Sequence, residues 1–345
     1  MFSFLLCSVP FVANSTPTDV CLCALRQAIH DKNRTQFNLI YAALRIRSKD
    51  AVFDLIVPRM EEEADREMQH TMLYCGQDFF HRGRELLPVL RHIAGDNKAD
   101  PLNRSVAVLM LGRLGIADFR TFLVLRGCLR HERVYLRCDA CVALWRLEKD
   151  PETIVPTLRE ILKSESDRLV ALEAIREIGP ALRSHFDVLE ILDSADRYIR
   201  CEAYKLLPEF ATSKKVAAEE LGKATLHTQA MADKYAADFR AGILDIPLDR
   251  FAGAHRAMRE EAGLALGMLA SMGESALPVI MKMLQTKDEP ATRSVGLNTL
   301  RRMRHQRKLQ DALKVIPEIE KLLSDSDASV RSLAETTLKE LREKK

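Results

Sequence analysis

Residues 315–341 read VIPEIEKLLSDSDASVRSLAETTLKEL. In the second half, Arg331 is followed three, seven and ten positions later by Ala334, Leu338 and Leu341. At 3.6 residues per turn these offsets share one stripe of an α-helix, whereas on a strand they would fall on both faces. The first half is a shorter apolar segment with Pro317 near its start, and Asp327 stands four residues before the arginine. Proline is tolerated in a first helical turn, where its missing N–H has no partner anyway, and an acidic residue suits the positive start of a helix. The stretch therefore reads as two helices joined by a polar turn.

The same register recurs toward the N-terminus. It holds at Arg104 (Ala107, Leu111, Leu114), Arg137 (Ala140, Leu144, Leu147), Arg168 (Ala171, Ile175, Ile178), Arg200 (Ala203, Leu207, Phe210), Arg259 (Ala262, Leu266, Leu269) and Arg293 (Gly296, Leu300, Met303). Arg34, with Phe37, Tyr41 and Leu44, is a further copy, and Arg66, with Gln69, Leu73 and Gly76, a degraded one. Successive arginines lie 31 to 38 residues apart except for 59 between Arg200 and Arg259. That spacing is one helical hairpin per period. The companion segments LLPVLRHIAGD, IVPTLREILKS and LPVIMKMLQT place Pro88, Pro156 and Pro278 where a first turn is expected. The long gap is alanine-rich up to Pro247, so residues 211–254 read as a diverged or enlarged hairpin, the place where a partner-specific feature is most easily added.

Composition agrees with an all-α chain. Aromatic residues are 6% of the 345, and 14 glycines with 13 prolines leave little for a barrel or sandwich. The 52 basic and 49 acidic residues nearly cancel, so a net charge of +3 gives no general attraction to nucleic acid or to anionic membranes. No run of about 20 apolar residues is present to span a bilayer. Residues 1–15 begin with the apolar run MFSFLLCSVPFVA, of signal-peptide length, and end in small residues, although no lysine or arginine precedes Arg26. The reading expects a cleaved leader, and so export over a cytoplasmic location, with an apolar N-terminal cap as the alternative. Residues 16–345 are expected to form one solenoid.

The paired segments, with arginine, small residue and leucine at fixed offsets, resemble the HEAT-repeat (armadillo-like) α-solenoid family, in its short bacterial form named after phycobilisome lyases. The resemblance covers residues 18–345 apart from 211–254. It implies an all-α, right-handed superhelical solenoid of stacked antiparallel helix hairpins, with first helices on the convex and second helices on the concave face. It also implies a structural ladder in which Arg104, Arg137, Arg168, Arg200, Arg259, Arg293 and Arg331 meet the repeated acid, interrupted where Arg133, Ser164 and His255 replace that acid. Members that hydroxylate a modified lysine hold two irons with His-Glu pairs beside the repeat arginine. Here only His131-Glu132 occurs, out of register.

Two constellations invite a chemical reading. Cys128, His131, Cys138 and Cys141 form C-x2-H-x6-C-x2-C, enough donor types for tetrahedral zinc. Against that, Cys141 occupies a mostly apolar repeat position and reads as a core residue, while Cys138 takes a small, polar, rather exposed position, so no metal and no cofactor is expected. RRMRHQRK at 301–308 concentrates Arg301, Arg302, Arg304, Arg307 and Lys308, which suits phosphates, yet it lacks interleaved aromatics and ends a repeat helix, where cations favour the dipole. No G-x-S-x-G, P-loop or H-E-x-x-H motif supplies catalysis.

The side of each second helix opposite its apolar stripe lies at offsets one, five and nine from the arginine. Two neighbouring copies place Leu109 with Arg113 and Val142 with Arg146 there, bordered by Trp145, whereas the next two carry Glu173, Glu177, Lys205 and Glu209, an ordinary wet face. Apolar side chains beside arginine on a side that should be wet are interface chemistry. The expected function is thus a non-catalytic protein-binding scaffold or adaptor, with Leu109, Arg113, Val142, Trp145 and Arg146 at the partner site. The alternatives are a lyase-like enzyme or chaperone acting on a tetrapyrrole or a protein side chain, and nucleic-acid binding through Arg301 to Lys308. Circular dichroism of the purified protein should show helix without appreciable sheet; a spectrum dominated by strand would overturn the solenoid.

Overall fold

A computed structural model describes residues 18–343, so the expected leader at residues 1–15 lies outside the described residues. The described residues form eighteen α-helices and no strand, and none of these helices is by itself long and apolar enough to cross a membrane. Where the sequence reading expects one continuous array, the chain divides into two compact units, Met1–Ile178 and Gly179–Lys345.

The first unit is built of five hairpins: α1 (Thr18–His30) with α2 (Arg34–Arg47), α3 (Lys49–Glu62) with α4 (Arg66–Gly76), α5 (Gly83–Gly95) with α6 (Pro101–Leu114), α7 (Phe119–Cys128) with α8 (Val134–Glu148), and α9 (Pro151–Leu162) with α10 (Arg168–Ile178). In the second unit α11 (Arg197–Phe210) follows two short 3-10 turns, Pro180–His185 and Leu189–Ile191. Then come α12 (Lys214–Arg240) with α13 (Leu248–Ser271), α14 (Leu277–Leu284) with α15 (Pro290–His305), and α16 (Leu309–Leu313), α17 (Ile316–Lys321) and α18 (Ala328–Arg342). Every repeat arginine lies on a second helix.

The helices start where short acidic side chains satisfy their free N–H groups. Asp65, Asp100, Asp118, Asp150, Asp196 and Asp327 all accept hydrogen bonds from the backbone N–H of the second or third residue of the helix that follows. Proline follows the sequence reading only in part. Pro278 and Pro317 stand in first turns, but Pro88 and Pro156 lie inside α5 and α9. Each is the sixth residue of its helix, just past the four N–H groups that lack a partner, so each forfeits one backbone hydrogen bond in the second turn.

The repeat arginine has a different main task from the one expected. Arg104 and Arg168 donate from Nε to the carbonyls of Ala94 and Leu162, each at 3.1 Å. Arg200 donates from Nη1 to Ser194 and Ala195, Arg293 to Thr286 and Lys287, and Arg331 to Asp325 and Ser326. These carbonyls end the preceding segment and have no helical partner, so the guanidinium closes each hairpin. A ladder to the next repeat exists where an acid is in reach: Arg66 to Asp100 at 3.3 Å, Arg200 to Glu261 at 2.7 Å and Arg293 to Asp325 at 2.7 Å. The acid that meets Arg293 is Asp325, two residues before the expected Asp327, because Asp327 is committed to the start of α18. Arg259 departs further: it is exposed, well inside α13, and the acid that meets Arg200 is Glu261 on the same helix.

That departure follows from the enlarged hairpin. The 59-residue gap is occupied by α12 and α13, 27 and 24 residues long, packed along each other, so Arg259 no longer begins a helix. Toward the tip Phe251 stacks on Phe239 with ring centroids 3.9 Å apart and on Tyr235 and His255 at 5.4 Å. Such offset ring pairs hold the two long helices in register.

Of the stripe residues at offsets three, seven and ten, all but Leu114, Leu147 and Leu266 are buried in the seven strong copies. Second helices of the first unit pack side by side, α6 on α8 and α8 on α10. At Gly112 the contact is so close that a Cβ would stand 2.6 Å from the Cα of Ala143. Beside it, the Ser105 hydroxyl of α6 donates to the half-buried Asp139 carboxylate of α8. Burial pushes this carboxyl up to about 6, Glu177 adds in the same direction, and the Ser105 hydrogen bond opposes both.

Three stability measurements follow. Leu144→Ala removes a buried side chain from the stripe and should lower unfolding free energy by about 2 to 5 kcal/mol. Gly112→Ala forces α6 away from α8 and should destabilise by about 1 to 3 kcal/mol. A carboxyl whose folded value lies above its unfolded one is destabilising when ionised, so its penalty is present at neutral pH and disappears as pH falls through about 6 toward the unfolded value. Asp139→Asn should therefore stabilise the protein by about 1 to 2 kcal/mol at pH 7.5. In urea denaturation at several pH values that advantage should shrink below pH 6; a pH-independent difference would contradict it.

Candidate functional site

The outward side of the second helices in the first unit gathers the chemistry that the repeat pattern does not require. On α4, Tyr74 is 57% exposed and its ring meets the His70 imidazole edge-on, centroids 4.9 Å apart. His70 is held in turn from α6, its Nδ1 being 2.9 Å from the Asn103 side-chain oxygen. The Asn103 amide is fully buried and donates to Gln69 Oε1 at 2.8 Å and to the Arg66 carbonyl at 3.0 Å. The Gln69 amide donates to the Met60 carbonyl at 2.9 Å. Buried amides with every arm engaged fix α4 against α6 and hence fix Tyr74.

On α6, Leu109 is half-buried and Arg113 exposed, its Nη1 donating to Gln77 at 3.0 Å. On α8, Trp145 is half-buried with the Lys149 ammonium 5.4 Å from its ring centroid, a cation over an aromatic face. Arg146 donates to Glu177 on α10. Val142 departs from expectation: it is 2% exposed and cannot meet a partner. Where helices stand side by side, a flank residue is covered by its neighbours, which a single-helix projection does not show. Four of the five expected residues thus remain at the surface, and Tyr74 joins them. Tyr74 sits eight residues after Arg66, just as Trp145 sits eight after Arg137, a parallel present in the sequence but hidden by the degraded copy at Arg66.

The cysteines do not converge on a metal. Cys128 donates its thiol to the Ala94 carbonyl of α5, while Cys141 donates to the Ile154 carbonyl of α9. Cys138, expected at an exposed position, is buried, and burial pushes its thiol up to about 12, with the neighbouring Asp139 carboxylate adding to it. Burial likewise raises Cys128 and Cys141, so these thiols stay protonated and are poor ligands. His131 Nδ1 accepts instead from the backbone N–H of Arg133 at 3.0 Å, and burial, with Arg104 nearby, lowers its basicity. Among the described residues no group of three or more histidines, cysteines or acids is placed to hold a metal ion.

Two of the five cations in the basic run at 301–308 are engaged within the second unit. Arg301 forms a two-armed pair with Glu340, at 3.0 and 2.6 Å, and lowers that carboxyl. Arg304 reaches the Glu343 carbonyl at 3.4 Å, and Arg302 lies against Gly267 of α13. Arg307 and Lys308 are exposed, with Arg307 in the left-handed turn that ends α15. Arg301 and Arg304 thus fasten α15 to the end of the chain, while Arg302, Arg307 and Lys308 remain at the surface.

No protein-family model matches the sequence, and no curated protein matches it. Solved structures do. The karyopherin Kap121p, in its complex with the SUMO protease Ulp1p, is similar over 94% of this chain and 37% of its own, with a TM-score of 0.55 and 14% identity. Importin beta is similar over 93% of this chain and 46% of its own, with a TM-score of 0.50 and 14% identity. The CpcE and CpcF complex of phycocyanin lyase from Nostoc sp. covers 78% of this chain and 94% of its own at 18% identity, but its TM-score of 0.40 carries no weight here. The chain spans less than half the length of the karyopherin and importin structures it matches. With every strong sequence copy on a second helix and these structural likenesses, the fold is that of a HEAT-like α-helical repeat protein.

Proposed function

We propose that this chain is a non-catalytic protein-binding scaffold and that Tyr74, Leu109, Arg113, Trp145 and Arg146 form its contact strip in the first unit. The observation that carries the reading is this juxtaposition on three adjacent second helices. Tyrosine, tryptophan and arginine beside an aliphatic side chain are the residue types that dominate protein interfaces, and here buried hydrogen bonds hold part of the strip in place before any partner arrives. The support from structural likeness is of the same kind: Kap121p is seen bound to Ulp1p and to Nup53p. In the second unit, Ile243 and Leu248 stand exposed at the tip of the enlarged hairpin and are the second place where a partner would rest.

The test is quantitative affinity capture from the source cells with the wild-type chain, Trp145→Ala, and the double variant Tyr74→Ala with Arg113→Glu. Loss of a central aromatic or arginine anchor weakens binding by about 2 kcal/mol. The same set of captured proteins should therefore fall at least severalfold in both variants while melting temperatures stay within a few degrees of wild type. Undiminished recovery from folded variants would remove the strip from consideration.

A further inference from the structure

Among the three strong repeat arginines of the first unit, Arg104, Arg137 and Arg168, one is an exception. Arg104 and Arg168 each turn Nε–H to a carbonyl at the end of the preceding helix, and Arg200, Arg293 and Arg331 of the second unit make equivalent bonds through Nη1. Arg137 makes none of these. Its Nη2 reaches forward to Glu160 on α9 at 2.8 Å, and its Nε–H is buried without an acceptor. The guanidinium has been drawn from its structural place into a cleft.

That cleft, of about 420 Å³, lies between the C-terminal end of α7, the start of α8 and one face of α9. Arg126, Arg130, Arg137, Thr153, Thr157 and Glu160 line it. Three guanidinium groups face one carboxylate, leaving the lining with an excess of positive charge. Arg130 is exposed, and its side chain forms no ion pair or hydrogen bond among the described residues. Arg126 spends one amine on Glu148 at 2.8 Å and lays its face toward the Phe122 ring, keeping its other donors. An anion entering here would meet donors from three planar forks, the geometry that matches a tetrahedral oxyanion.

We propose that this cleft binds a phosphomonoester dianion, with Arg126, Arg130 and Arg137 as its donors and Glu160 as an internal competitor that holds Arg137 while the cleft is empty. The ligand accepts from Arg137 where Glu160 now accepts. A phosphate group fills only part of the cleft, so the remainder takes the organic group esterified to it. The site is independent of the contact strip, which uses the other end of α8, eight residues beyond Arg137 at Trp145.

Isothermal titration calorimetry at low ionic strength, with inorganic phosphate and with O-phosphoserine as probes, tests the assignment. Arg130→Gln and Arg137→Gln should each weaken binding about tenfold, the loss of one charge-assisted contact. Glu160→Gln should tighten it severalfold, because the competing carboxylate is gone. Phosphoserine binding at least about tenfold tighter than phosphate assigns the ester side of the ligand to the cleft; equal affinities assign the free ion. Absence of binding up to millimolar probe, or affinities unchanged by the arginine variants, would overturn the site. Should Arg137→Gln unfold the protein, the Arg130 and Glu160 variants, altered at exposed side chains, still decide the matter.

Discussion

Five of the repeat arginines, Arg104, Arg168, Arg200, Arg293 and Arg331, place a guanidinium group where it satisfies the carbonyl ends of the segment before it. A helix leaves its last carbonyls without partners, and burying them against a second helix is costly unless donors are supplied. The repeat arginine supplies several from one side chain, on a planar fork that reaches two adjacent carbonyls, as at Thr286 and Lys287. Lysine offers only a point charge on a flexible stem and cannot bridge them in the same fixed geometry. Once the arginine is anchored near the start of the second helix, the residues three, seven and ten positions later are committed to the core, and the apolar stripe follows from a polar requirement.

Close packing between second helices adds a narrower constraint. The contact of Gly112 with Ala143 brings α6 and α8 together at backbone distance, so the polar groups along that seam must pair or remain uncharged. Ser105 and Asp139 show the result: the carboxyl keeps one hydroxyl donor, with no cation bonded to it, and its proton is retained up to mildly acidic pH. Arg146 and Glu177 pair across the next seam. The surface left between these fastenings holds Tyr74, Leu109, Arg113 and Trp145, and the reading of a protein-contact strip rests on it.

The second unit varies the scheme. Short 3-10 turns precede α11, and the following hairpin is extended to 27 and 24 residues. The extension uses a stack of aromatic rings where the regular hairpins use the arginine, and Arg259 is released to the surface as a consequence. Arg137 is released by a different route, into a cleft beside two other arginines. Departures from the repeat rule therefore mark the places where the chain has side chains to spare for something besides folding.

The sequence by itself determined the helical class, the nine second helices and most of their buried faces, because a local period of 3.6 residues and a fixed polar anchor are both properties of the chain's covalent order. It also marked the enlarged hairpin by its spacing, and Leu109, Arg113, Trp145 and Arg146 by their contradiction of an amphipathic pattern. Tertiary structure alone decided which flanks are covered. Val142 and Cys138 are buried by neighbouring helices, Pro88 and Pro156 lie within helices, and Arg301 is drawn to Glu340 across 39 residues. Tyr74 and the cleft around Arg137 were equally invisible to periodicity. A side chain's register states which way it leaves its own helix, whereas exposure, pairing and clefts depend on what the next helix brings to the same space.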